Sequence, residues 1–356
     1  METHDHSQHD ASGERPREPM APSEHNENQQ SQSSLGTHST NMANMVLGVT
    51  RPQLAAVTVL TVLFLVGAFV FAISRYNLTL SAHEVGGLVM PPGMVMDRET
   101  SAESMRDMAA INPKGVDHRA AKDAKGDQLL QPRIENGVKV FELETSVIKW
   151  HILPDLEVMA YAFNRQVPGP RIRITEGDQV RLVVRKDLPE STSVHCHGLI
   201  LPNEMDGAAE ITQEPIEPGG SFVYEFTATQ AGTFFYHSHD HPDRQQPLGL
   251  YGALIIDPQT APATPTWDRE LVVQLQEWLY RDGWTFPAMP MDGGHPNFFT
   301  INGKAYPETE TIDLKVGERL LVRFIGSNNK AIHPMHIHGE PFQNNATEGH
   351  PQRRSR

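Results

Sequence analysis

The sequence predicts a mainly β chain in which two sandwich-like domains, the second incomplete, follow a single transmembrane helix. Three observations predict this: one uncharged apolar run near the N-terminus, short segments of period-two alternation broken by Pro and Gly from Gly137 onward, and an internal repeat that uses one order of residues twice.

The apolar run is Leu54–Ile73, LAAVTVLTVLFLVGAFVFAI. At about 1.5 Å per residue, a helix over 54–74 matches a hydrocarbon core of about 30 Å. A buried helix of a soluble domain is the bland alternative, but the sequence offers it no helical partner. A signal peptide is a further alternative, although the run and the tail before it are longer than such segments usually are. Arg51 and Arg75 flank the two ends almost symmetrically, so charge does not set the orientation. The preceding tail, 1–53, is rich in His, Gln, Asn, Ser and Glu. It lacks the apolar surface needed to offset its ordering entropy and reads as disordered. Its His4, His6, His9 and His25 could bind metal weakly, or simply be solvated.

Residues 75–132 read as a linker or loosely packed arm. Met90, Met94, Met96, Met105 and Met108 give it thioether groups suited to Cu(I), or merely gap-filling apolar side chains. From Gly137, stretches such as Val138–Leu143, Arg171–Ile174 and Arg181–Arg185 alternate, with one face buried and the other wet. Turn signals at Pro168-Gly169-Pro170, Glu176-Gly177-Asp178 and Pro218-Gly219-Gly220 separate them.

The repeat sets Asn164, Pro168, Gly177, a strand and His195-Cys196-His197-Gly198 beside Asn302, Pro307, Gly317, a strand and His336-Ile337-His338-Gly339. The glycine-to-histidine separations are 18 and 19 residues. The domains therefore fall at 133–260 and 266–356, joined by the Pro/Thr-rich connector Ala261–Thr266.

The net charge of −14 carries no basic stripe, so nucleic acid is excluded as a partner. One cysteine, Cys196, allows no intrachain disulfide and leaves the redox compartment open. The 18 histidines hold more information. Residues i and i+2 of a strand share a face, so His-x-His presents two imidazoles side by side. There are three such pairs: His195/His197, His237/His239 and His336/His338. Imidazole suits Cu, Zn, Fe and Ni, and the residues alone do not choose among them. Cys196 alternates with its flanking histidines, so it should face the other side of its strand, as a buried inert thiol. His241 extends the second run, but Pro242 should turn the chain and leave His241 beside the group or exposed.

Four stretches, HCHGLILPNEMDG, GTFFYHSH, INGKAYP and HPMHIHG, resemble the multicopper oxidase family, and the short spacing between the last histidine motifs resembles its two-domain, laccase-like members. The resemblance implies cupredoxin-like domains and a copper cofactor. It places the type 2 copper on His195 and His336, the type 3 pair on His197, His237, His239 and His338, and a type 1 ligand at His333. Asp206, in MDG, would be the catalytic acid that supplies protons to reduced oxygen, or else the plain start of a turn before Gly207. The implied reaction couples one-electron oxidation of a small reducing substrate, a phenol or a metal ion, to reduction of dioxygen to water. Extracytoplasmic cupredoxin domains and a homotrimer with shared sites are implied too. The family's His-Cys-His motif near the end of its last domain has no counterpart here, so the type 1 site is expected to be incomplete, the chain truncated and the oxidase inactive in this form. The alternatives are a non-catalytic, membrane-anchored copper-binding protein and a copper nitrite reductase. The second would need a cysteine between Phe235 and Pro258, where there is none.

Overall fold

The computed structural model describes residues 50–80, 84–85, 87–94, 100–260, 267–328 and 332–351. The tail histidines, Met96, the connector Ala261–Thr266 and Arg353, Arg354 and Arg356 lie outside them.

Helix α1, Arg51–Leu80, extends beyond the expected 54–74 at both ends. Thr50 and Gln53 start it: the Gln53 side-chain oxygen accepts from the Thr50 backbone N–H at 2.9 Å, one half of a capping box. Two of its hydroxyls are bonded within the helix, Thr58 donating to the Leu54 carbonyl and Thr61 to the Val57 carbonyl. Over Arg51–Ala72 the helix is long and apolar enough to cross a membrane, and its side chains are exposed.

The remainder of the described chain is mainly β. Strand β1 (Val138–Leu153) is long and serves two partners. Its second half pairs antiparallel with β2 (Leu156–Phe163), while Lys139–Glu144 pairs parallel with β4 (Gln179–Asp187). Strand β6 (Ser221–Thr227) extends this first sheet beyond β4. A second sheet runs β3 (Gly169–Thr175), β8 (Tyr251–Asp257), β7 (Gly232–Ser238), β5 (Val194–His197). The two sheets close on Phe141, Leu143, Leu182, Val184 and Tyr224 from the first and Ile172, Leu254, Phe234, Tyr236 and Cys196 from the second. Period-two burial along β4 follows directly from its sequence: Val180, Leu182 and Val184 turn inward while Arg181 and Arg185 turn outward.

A third sheet belongs to the second repeat. Strand β9 (Arg269–Arg281) pairs with β10 (Trp284–Phe286), β11 (Phe298–Ile301) and, in parallel, β13 (Leu320–Gly326), while β12 (Lys304–Ala305) pairs with β11. Val272 of β9 and Ile325 of β13 pack on Ala253 and Ile255, the outer face of the second sheet. That sheet is therefore covered on both sides.

The repeat is geometric as well as sequential. Asn164 and Asn302 both adopt positive φ, 51° and 50°, and each is followed by a cis X–Pro bond, Val167–Pro168 and Tyr306–Pro307. The Asn164 side chain accepts from Glu144 N–H at 2.7 Å and donates to the Glu142 carbonyl at 3.0 Å. Asn302 accepts from Gln274 N–H and donates to the Val272 carbonyl, both at 2.8 Å. The parallel pairing of β1 with β4 recurs as β9 with β13.

Two expectations change. The arm 75–132 is packed rather than loose in its described parts: Met90, Met94 and Met108 are buried with Met289 in one cluster, and helix α2 (Ala102–Met108) lies within it. Met105 is only partly buried. The His336-Ile337-His338 segment is not a strand. Among the described residues, the chain from Ile332 to Asn345 has no ladder partner, so nothing imposes the pleat that β5 receives from β7.

Candidate metal centre

Strands β5 and β7 build the site by their register. Antiparallel pairing sets His237 opposite His195, Phe235 opposite His197 and Tyr236 opposite Cys196. Directly opposed residues have Cβ atoms about 5 Å apart, which brings the side chains of one face into contact. Here that face carries His195, His197, Phe235 and His237, and it is the face that Ala253 shares on β8. The opposite face carries Cys196, Tyr236 and Phe234 into the core between the first two sheets.

The imidazoles meet. Ring centroids are 5.6 Å apart for His195 and His197, 5.4 Å for His195 and His237, and 5.2 Å for His195 and His239. One nitrogen from each of His195, His197 and His237 lies within 4.8 Å of the others. His237 Nε2 is 3.4 Å from His197 Nδ1. Phe235 stacks on both His197 and His237, with centroids at 4.8 and 4.9 Å, which limits ring rotation.

Two of these rings have one nitrogen committed to a carbonyl. His195 Nδ1 donates to the Asp206 backbone oxygen at 2.6 Å, and His237 Nδ1 donates to the Ser238 carbonyl at 2.8 Å. Each is thereby held as the tautomer whose Nε2 carries the lone pair that a metal needs. Burial holds the His237 ring neutral by pushing its pKa down to about 3, with the neighbouring imidazoles adding to that. Burial likewise lowers His197, helped by His195 and His239. A group of converging imidazoles, graded from the buried His237 to the exposed His197, is a borderline donor set, and it fits copper as well as other imidazole-seeking ions.

Gly207 lets the Asp206 loop approach. At φ +83° it sits so close to β5 that an added Cβ would lie 2.0 Å from the Val194 carbonyl oxygen. The Gly207 carbonyl accepts from Ser193 Oγ at 2.6 Å. The Asp206 carboxylate stands 3.5 Å from His195 Nδ1 and is partly exposed.

Cys196 faces away from the imidazoles, is 2 % exposed, and has its thiol pushed up to about 12 by burial, then by Asp206. His241 turns away at the start of helix α3 (Pro242–Gln245), with φ 51°. It meets Asp107 at 2.9 Å, and that hydrogen bond outweighs burial and raises its pKa to about 9. His241 is thus a cation held by the arm.

The histidines of the second repeat stand elsewhere. His336 and His338 contact each other at 4.5 Å between centroids, and no ring contact among the described residues joins them to the first four. Both are exposed. His333 Nε2 lies 2.8 Å from the Asn328 side-chain oxygen and 3.8 Å from the buried Glu277 carboxylate.

Residues Arg244, Gln245 and Gln246 were not singled out from sequence, yet they brace the site. Arg244 donates to the Ala109 carbonyl of the arm at 2.5 Å and grips Glu190 at 3.0 Å. Gln246 donates to the Ser327 carbonyl at the end of β13 at 2.9 Å. Their only sequence signal is that they follow a histidine motif directly.

Packed sheets with converging imidazoles at the end of two paired strands fit the class of cupredoxin-like proteins with a candidate metal site. Two multicopper oxidase family models match residues 145–261 and 285–356, together just over half of the chain. The chain is similar to the blue copper oxidase of Nitrosomonas europaea, with 30% identity and a TM-score of 0.55 over 60% of this chain and 68% of that one. It is also 45% identical over 123 residues to copper resistance protein A of Pseudomonas syringae pv. tomato, a match covering 35% of this chain and 20% of the relative. A third relative, the multicopper oxidase MmcO of Mycobacterium tuberculosis, is 30% identical over 227 residues, 54% of this chain and 44% of the relative. The chain belongs to the multicopper oxidase family. It spans about a fifth of the length of the copper resistance proteins that it matches.

Proposed function

We propose that this chain is a membrane-anchored, copper-binding part of an oxidase that couples one-electron oxidation of a small reducing substrate, a phenol or a metal ion, to reduction of dioxygen to water. The observation that carries this reading is the convergence of His195, His197 and His237 on one sheet face, with the His239 ring just past the strand end and 5.2 Å from His195. Copper bound there would supply the one-electron steps that dioxygen reduction needs.

In this reading His195 and His336 hold the type 2 copper, His197, His237, His239 and His338 the type 3 pair, and His333 serves a type 1 site. The Asp206 backbone carbonyl fixes the His195 tautomer, while its carboxylate, at 3.5 Å and partly exposed, moves protons between solvent and the site. The His336/His338 pair touches none of the first four rings, and a homotrimer in which one subunit's pair meets the four rings of its neighbour would complete the set. Helix α1 spans the membrane and the copper-binding domains lie outside the cytoplasm. Internal capping of the Thr58 and Thr61 hydroxyls supports that reading of α1, because a bilayer leaves unpaired polar groups without partners.

A second reading, copper binding without turnover, has one observation in its favour. The single cysteine of the 356 residues faces the core, so no thiolate in this sequence reaches the imidazoles. Copper analysis of the detergent-solubilised chain beside a H195A/H237A double variant tests both readings. The wild-type chain should retain copper through dialysis and the variant should lose it. A wild-type chain that retains none overturns the copper site, and dioxygen uptake with a phenol separates an oxidase from a passive binder.

A further inference from the structure

At the end of their ladder, the two strands that carry the first histidine pairs meet through the Thr192 and Ser238 hydroxyls, 3.3 Å apart, and one buried amide bonds to both. Gln245, 0 % exposed, lies on α3, the turn that follows His239 and His241. Its Oε1 accepts from Thr192 Oγ1 at 2.7 Å and from Ser238 Oγ at 2.6 Å. Its Nε2 donates to the Ser191 carbonyl at 2.6 Å and to the Glu190 carboxylate at 3.2 Å. The amide cannot be turned over, because its oxygen would then face that carbonyl and that carboxylate. Thr192 leads into β5 three residues before His195, and Ser238 sits between His237 and His239. One side chain therefore reads the position of both strands at the point where their imidazoles emerge.

Register alone does not do this work. The ladder between β5 and β7 covers four residue pairs and ends at Ser238 with Val194. His239 lies beyond the ladder, and the chain turns at His241. A short ladder end frays unless something outside it is bonded to both strands. The Gln245 backbone is itself fixed, its N–H donating to the His241 carbonyl at 2.9 Å and its carbonyl accepting from Leu250 N–H at 3.1 Å. The amide thus stands on a rigid turn rather than on a mobile loop.

We infer that Gln245 is a positioning residue for the metal centre, holding the His195/His197 and His237/His239 pairs at the separation and tilt that lets one ion be shared between them. This rests on the copper reading above. Partners of this kind, which touch the elements bearing ligands and not the ion, typically govern metal affinity by about 10- to 100-fold.

The test uses the full-length chain in detergent, with copper(II) as the probe and three variants. Gln245→Leu removes all four bonds at similar volume, Thr192→Val removes one of them isosterically, and His237→Ala reports the site itself. Copper(II) is titrated against a competing chelator, its paramagnetic resonance spectrum is recorded, and the ring resonances of 15N-histidine-labelled, copper-free protein are compared. Gln245→Leu should raise the copper concentration for half-loading about tenfold and alter the hyperfine pattern, with circular dichroism unchanged. Thr192→Val should show a smaller rise in the same direction. The ring resonances of His195 and His237 should move in both. A Gln245→Leu protein that matches wild type in titration and spectrum overturns the inference. If that variant does not fold, a Thr192→Val protein indistinguishable from wild type overturns it equally. If His237→Ala loads copper just as wild type does, the copper reading is wrong. The ring resonances then decide the role of Gln245 on their own, moved for it and unmoved against it.

Discussion

His241 Nδ1 and the Asp107 carboxylate meet at 2.9 Å, which fastens the arm that follows helix α1 to the turn that closes the second histidine pair. Arg244 reinforces the joint through the Ala109 carbonyl and Tyr161 Oη. Both partners of the His241–Asp107 pair are about a quarter exposed, so removing it should cost about 1 kcal/mol, the upper range for a solvent-reached ion pair. Asp107→Ala is expected to speed proteolytic cutting between Thr100 and Ile111, measured by timed digestion. An arm that stays as resistant as in wild type would show that the Arg244 contacts hold it alone.

Much of this was legible in the sequence because the signals were periodic or repeated. Alternation gave β1, β4 and the inward face of the first sheet. The paired order of Asn, Pro, Gly and His gave a repeat whose two asparagines make matching bonds. Strand alternation also put Cys196 opposite the imidazoles, as β5 does. The same rule misplaced His336 and His338, since a period-two pattern becomes a strand only where a neighbour supplies the ladder. Gln245 and Asp107 were illegible for a different reason: their partners are 54 and 134 residues distant in the chain, and no local pattern marks such contacts.

Cys196 gives a clean check on which face binds metal. Its thiol is buried among Val194, Tyr224 and Tyr236 rather than beside the rings. Cys196→Ala should lower stability by about 1 kcal/mol, as for removing one methylene-sized group from a packed interior, and leave copper affinity unchanged. Wild-type protein loaded with copper should show no intense blue thiolate-to-copper absorption. Such a band, lost in Cys196→Ala, would place the thiol on the metal and reverse the assignment of faces.

The two turn asparagines should behave alike when removed. Each combines a left-handed backbone with two side-chain bonds to the preceding long strand. Asn164→Ala and Asn302→Ala each lose those bonds and place a Cβ-limited residue at positive φ, for about 2 kcal/mol apiece. Denaturant midpoints of the two variants should fall by similar amounts. An effect confined to Asn164 would mean that the second repeat is not folded as a cooperative partner of the first.

Glu270 supplies the acid-side prediction. It lies on β9 between two guanidiniums, Arg173 at 2.5 Å and Arg323 at 2.6 Å, and joins the second sheet to the third. Burial alone would raise its pKa, but the hydrogen bonds and charges of Arg173 and Arg323 outweigh that and hold it below its ordinary 4.5. A carboxylate depressed on folding contributes stability that is fully present above pH 4.5 and is lost as pH falls through the lower folded value. Glu270→Gln should therefore unfold at lower denaturant than wild type at neutral pH, and the gap should narrow on acidification below pH 4.5. Denaturant midpoints recorded across that range measure it. A gap that stays constant down through acid would show that Glu270 contributes packing rather than charge, and the junction between these sheets would then have to be assigned to Val272 and Ile325 against Ala253 and Ile255.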